Sequence, residues 1–246
     1  MEYKLEICAN SVQSTINAQK GGADRVELCD NLWEGGTTPS AATIKIVRKN
    51  IDIGLFVIIR PRGGDFLYTD LEYEVIKEDI RIAKELGADG IVSGILDADG
   101  NIDVSRMSEL VELSHPLPFT CHRAFDLTSD PFKALEDVIS CGAKRILSSG
   151  LQNTVPLGMD MLKQLYKKAD GRIIIMPGGG VNENNILDIV GQTGCREFHM
   201  SGKIVIDGNM KFRNHDLKIN GAPQIPEFGI EVSDVDKIRK VRNVLK

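Results

Sequence analysis

The sequence predicts an α/β fold: a single (β/α)8 TIM-type barrel spanning residues 1–246. Three observations predict it. Eight short apolar segments alternate with helical patterns, which implies parallel pairing through right-handed crossovers. Four of these segments follow a shared mark in which a helical pattern stops at a glycine: Gly21-Gly22-Ala23, Gly87-Ala88, Gly142-Ala143 and Gly194-Cys195. A glycine there is a helix C-cap leading into a strand. The 246 residues also match the size of one such barrel.

The strands are expected at Lys4–Cys8, Arg25–Cys29, Ile53–Ile59, Gly90–Ser93, Phe119–His122, Arg145–Ser148, Arg172–Met176 and Glu197–Met200. Helices fill the intervals. Thr69 and Glu72 form a capping box at the start of the third helix, and Pro131 suits the first turn of the fifth. The segment 204–228 lacks either periodicity and is expected to be an irregular loop over one end of the barrel. The last helix opens at Ser233 and carries Val235, Ile238, Val241 and Leu245 on one face. Its basic residues make a solvated face.

Composition narrows the function classes. Hydrophobic residues are 42% and charged residues 26%, an ordinary globular mixture, and the net charge is −5. That charge argues against nucleic acid and anionic membrane surfaces as partners. The longest aliphatic or aromatic run, Leu55–Ile59, is far too short to span a bilayer. The N-terminus lacks an apolar signal core, so a cytoplasmic location is expected. The five cysteines are sparse and contain no C-x-x-C, which argues against a disulfide framework or zinc ribbon.

Active sites of this fold lie at the C-terminal ends of the strands. In the first two strands Glu6/Cys8 and Glu27/Cys29 alternate with apolar residues, so the polar sets point into the barrel mouth. Arg60 and Arg62 share parity after the third strand and are expected there too. The fifth strand ends Cys121-His122-Arg123-Ala124-Phe125-Asp126, placing His122 and Asp126 at the same rim. The eighth contributes His199, then Ser201 and Gly202. The run Gly178-Gly179-Gly180 after the seventh strand can bring backbone N–H groups to an anion at a helix N-terminus. With Ser201 and Gly202 it forms the expected phosphate site.

Seven stretches resemble the CutC copper homeostasis protein family: EICANS (Glu6–Ser11), GGADRVELC (Gly21–Cys29), EGGTTPS (Glu34–Ser40), IRPRGGDF (Ile59–Phe66), CHRAFD (Cys121–Asp126), MPGGGV (Met176–Val181) and MKFRN (Met210–Asn214). They are spread in order over nearly the whole chain. The resemblance implies a barrel, a cytoplasmic homo-oligomer (a dimer above all) and a role in copper handling. It places copper on two cysteines at the ends of the first two strands, here Cys8 and Cys29. Soft thiolates select Cu(I), and neighbouring strands are close enough for two thiolates to share one ion.

The residues also allow a second function, a barrel enzyme (isomerase, lyase or hydrolase) acting on a small phosphorylated or carboxylated metabolite. In that scheme Arg60 and Arg62 clamp an anionic group, Glu27 or His122 is the general base, and His199 the acid. Glu6 and Asp126 complete the candidate catalytic set.

Overall fold

The computed structural model describes residues 2–219 and 225–246. Eight parallel strands form the barrel: β1 (Lys4–Ala9), β2 (Arg25–Leu28), β3 (Gly54–Ile58), β4 (Gly90–Ser93), β5 (Phe119–Cys121), β6 (Arg145–Ser148), β7 (Ile174–Pro177) and β8 (Glu197–Met200). Seven helices return the chain between them: α1 (Val12–Gly21), α2 (Ala41–Arg48), α3 (Asp70–Glu85), α4 (Val104–Ser114), α5 (Pro131–Ser140), α6 (Val155–Ala169) and α7 (Ile186–Thr193). An eighth, α8 (Val235–Val244), closes the chain against α1. Strand order runs β7-β6-β5-β4-β3-β2-β1-β8, so first and last barrel strands pair. The remaining seam, between β7 and β8, is joined by one bridge, Gly178 to His199.

The glycine marks act as expected. Gly22 and Gly194 cap α1 and α7 at φ 91° and 78°, a left-handed conformation that costs other residues strain. The Thr69–Glu72 capping box forms, and Pro131 opens α5. Strand alternation separates two sets of side chains. Leu5, Ile7, Val26, Leu28, Leu55 and Val57 are buried in the apolar layer shared with the helices. The other parity fills the barrel interior.

Five of the strands end or begin one or two residues from the expected positions, and the chain after β8 departs further. The segment 204–228 is not irregular from its start: β9 (Lys203–Asp207) pairs antiparallel with β10 (Gly229–Ser233). Its alternation is hard to see because most of β9 is exposed on both faces. Positions 220–224 of that segment lie outside the described residues. Ser233 ends β10, and Asp234 caps α8 by accepting from the Lys237 N–H. The hairpin is tied to α1, where Asn17 donates to the Ser233 carbonyl. It stands beside the loops after β1 and β2, with Lys203 over the Trp33 ring.

Candidate functional site

The barrel interior has two storeys. The lower one, toward the strand N-termini, is an ion network. Arg25 donates to Glu6 at 2.5 Å and to Glu197 at 2.6 Å. Arg145 donates to the same Glu197 at 2.7 Å and to Thr120. Both guanidinium groups lie near the Phe56 ring, at 5.2 and 5.5 Å from its centroid. Gly90 makes room for that ring, since a Cβ there would come within 2.3 Å of Phe56. Buried charges survive when paired and hydrogen-bonded, and these are. Arg25, Arg145 and Glu197 were not among the expected site residues. Their signal was an inward parity at strand starts, the end of a barrel that serves stability.

The upper storey is built by the next inward positions. The β1–β2 register sets Cys8 beside Glu27, and the β1–β8 register sets Glu6 beside His199. Glu6 Oε1 lies 2.8 Å from His199 Nδ1, leaving Nε2 to face Glu27 Oε2 at 3.8 Å. One ligand atom each from Cys8, Glu27 and His199 lies within 4.8 Å of the others, a spacing suited to a metal ion. Cys29 Sγ is 3.5 Å from Cys8 Sγ, and both thiols are buried. A carboxylate that orients a ligating histidine through its second nitrogen is the usual support of a metal-bound imidazole.

The charges are coupled through these contacts. Burial pushes the Glu6 carboxyl up, but Arg25 and His199 outweigh it and hold the group at about 2. Burial works against the His199 imidazolium, yet Glu27, Cys8 and Glu6 together raise it well above the usual histidine range. Burial raises Glu27. The Cys8 thiol is raised well above its ordinary value by its contact with Cys29, then by burial and by Glu27. A metal would therefore have to displace protons.

Opposite this cluster stand Arg60 and His122. A cavity of about 90 Å³ lies between them and Cys8, Glu27 and His199, with Phe66 and Arg123 at its edge. Arg60 donates to the carbonyls of Glu34, Gly36 and Gly64. His122 Nδ1 accepts from the Ala124 N–H at 3.2 Å. Burial, then the Arg60 charge, lowers His122 to about 3, so the ring is neutral. Gly94 clears its place: a Cβ there would stand 2.7 Å from Nδ1.

Two expected members lie elsewhere. Arg62 is not in the mouth. β3 ends at Ile58 and Pro61 turns the chain, so strand parity no longer governs position 62. Its guanidinium bonds Glu72 and lies over Tyr68. Asp126 faces the β6 loop, accepting from the Ser148 hydroxyl and the N–H groups of Ser149 and Leu151. It also pairs with Arg123, whose position at the mouth sequence parity did not single out.

Gly178, Gly179, Gly180 and Ser201 line a second cavity of about 200 Å³, which shares Cys8, Arg123 and His199 with the first. The helix dipole is missing from it. α7 starts only at Ile186, after an Asn182–Asn185 turn whose Asn182 and Asn185 amides donate to the Gly180 carbonyl. Gly202 is taken up by packing: its carbonyl accepts from Asp234, and a Cβ would meet Ile238 at 3.1 Å.

The model of the CutC family matches residues 3–204. The human "Copper homeostasis protein cutC homolog" is 45% identical over 244 residues, covering 99% of this chain and 89% of the human protein. A CutC family protein of Bacteroides thetaiotaomicron is 47% identical over 246 residues, covering 100% of this chain and 99% of that protein. The crystal structure of a putative copper homeostasis protein CutC from Streptococcus agalactiae superposes with a TM-score of 0.77 at 38% identity, over 81% of this chain and 98% of that one. A family model matched over most of the chain, with relatives of this identity over nearly its whole length, makes the protein a member of the CutC family.

Proposed function

We propose that the protein binds Cu(I) as cargo at the upper storey of its barrel, through the Cys8 and Cys29 sulfurs with His199 Nε2 as third donor. The observation that carries this is the position of Cys8, 3.5 Å from a second thiol and within 4.8 Å of the His199 and Glu27 donors. Two sulfurs and an imidazole make a soft set that favours Cu(I) over hard divalent ions. The name of the human relative, a copper homeostasis protein, supports the same reading. The test is a Cu(I) competition titration against a chromogenic chelator. Cys8→Ser and Cys29→Ser should each abolish tight binding, while Cys141→Ser, far from the mouth, leaves it intact. Equal affinity in all three variants removes the site. Glu6→Gln should weaken binding by about 10–100-fold, the usual effect of losing the partner that orients a ligating histidine.

A second reading, a barrel enzyme turning over a small phosphorylated or carboxylated molecule, is favoured by the adjoining cavity over Gly178–Gly180 and Ser201. Turnover in a phosphometabolite screen that survives Cys8→Ser and Cys29→Ser would favour it. We further infer one domain over 1–246, a cytoplasmic homo-oligomer, dimer favoured, and no nucleic-acid partner. Exposed apolar side chains on and after β9, among them Val205, Met210 and Phe212, support self-association. Light scattering on the purified protein tests it, and a monomer at all concentrations would overturn it. No helix among the described residues is long and apolar enough to cross a membrane.

A further inference from the structure

Among the described residues, four buried side-chain polar atoms have no hydrogen-bond partner: Glu27 Oε1, Arg60 Nε, His122 Nε2 and Tyr68 Oη. Native interiors contain few such atoms, and each asks for an explanation. Here three of the four belong to residues lining one cavity, the 90 Å³ space at the mouth. The fourth, Tyr68, stands beside Arg60, whose charge and side-chain contact with the hydroxyl moderate the rise that burial imposes on it.

The unpartnered atoms of Arg60 and His122, two residues lining this cavity, share one polarity. The Ala124 N–H donates to His122 Nδ1, so the neutral ring carries its proton on Nε2 and offers a donor. Arg60 Nε carries a hydrogen and can only donate. Arg60 is only 4% exposed, and among the described residues it has no carboxylate partner; three backbone carbonyls take its terminal nitrogens. A buried guanidinium with neutral partners alone retains an uncompensated charge. Phe66 fixes the pair, with its ring 4.9 Å from the His122 ring and 4.9 Å from Arg60 Cζ.

We propose that this pair is a receptor for a small organic carboxylate, whose oxygens accept from the Arg60 Nε–H and the His122 Nε2–H. Charge-assisted bonds to carboxylate suit a guanidinium edge. The cavity has room for roughly three water-sized groups, which fits a carboxylate and excludes a sugar phosphate as a whole. The remainder of the ligand would lie in the neighbouring cavity over Gly179 and Gly180. The two donors are distinct from the proposed copper ligands, but Cys8 and His199 line the same cavity, so the inference rests on the second reading above and is tested without metal.

The test uses the metal-free full-length protein, isotope-labelled for NMR and titrated with sodium formate, acetate and pyruvate against sodium chloride at matched ionic strength. The His122 Nε2–H and the Phe66 amide should shift saturably with millimolar affinity, as expected of so small a ligand. His122→Asn, which keeps an acceptor for the Ala124 N–H, and Arg60→Gln should each weaken binding by about tenfold or more. Should Arg60→Gln fail to fold, His122→Asn and the wild-type shifts still decide the matter. Cys29→Ser, which changes no residue lining this cavity, should bind carboxylate unchanged while losing tight Cu(I) binding, which separates this result from the copper titration. Absence of a saturable shift beyond that of chloride, shifts confined to Gly178–Gly180, or tighter binding of inorganic phosphate at His122 would each overturn the proposal.

Discussion

The two storeys of the barrel interior contain the same kinds of residue and treat them oppositely. Below, Arg25, Arg145, Glu6 and Glu197 saturate one another, with the Phe56 ring beside both guanidinium groups. Above, Glu27, Arg60 and His122 are equally buried, yet each leaves a polar atom without a partner. Charge inside a barrel therefore does not by itself mark a functional site; what distinguishes one is hydrogen-bonding capacity that the protein does not use up. Glu6 joins the storeys, bonding Arg25 with one oxygen and His199 with the other.

The largest expected effect breaks the closed storey. Arg25→Met removes one partner from Glu6 and Glu197 together and should destabilise the fold by about 3–5 kcal/mol, read by urea denaturation. A loss below about 1 kcal/mol would mean that the lower network is no better satisfied than the mouth.

Next comes His122, whose folded-state pKa of about 3 lies below the ordinary value of 6.5. The unfolded chain then binds the extra proton first, so stability falls as pH drops below about 6.5 and continues to fall toward about 3. At pH 5 the cost is about 2 kcal/mol. Denaturation at pH 7 and pH 5 should show His122→Asn losing less on acidification than wild type; an identical loss would place the acid sensitivity elsewhere.

A smaller effect sharpens the comparison from the open side. Glu27→Gln replaces a carboxyl that burial already raises and that has an unpaired oxygen. It should leave stability within about 1 kcal/mol of wild type or increase it, in keeping with a residue retained for ligand binding. A loss of several kcal/mol would assign Glu27 to the structural network. The smallest effect belongs to Arg62→Ala: an exposed ion pair with Glu72 contributes about 0–1 kcal/mol, and carboxylate titrations should not change.

Much of this was legible in the residues themselves. Strand parity placed Glu6, Cys8 and Glu27 inside the barrel, because alternation is a local property of the strand, and His199 was expected at the mouth from its place at the end of the eighth strand. The glycine marks at Gly22, Gly87, Gly142 and Gly194 set the helix-to-strand turns. Parity failed where the strand had ended: Arg62 follows Pro61 and swings out to Glu72, and Gly202 is claimed by α8. The expected helix dipole behind Gly178–Gly180 failed because an asparagine turn intervenes before α7.

Sequence by itself determined the barrel, the inward parity along its strands and the family, since these depend on period, spacing and residue identity along the chain. Only the tertiary structure decided which inward charges meet. Register between β1, β2 and β8 set Glu6 on His199 and Cys8 by Glu27. The fit of Phe56 against Gly90, and of His122 against Gly94, decided which side chains fill the interior. Pairing depends on distances between residues far apart in the chain, and no local pattern encodes whether a buried Nε–H or Nε2–H finds its acceptor in the protein or must take it from a ligand.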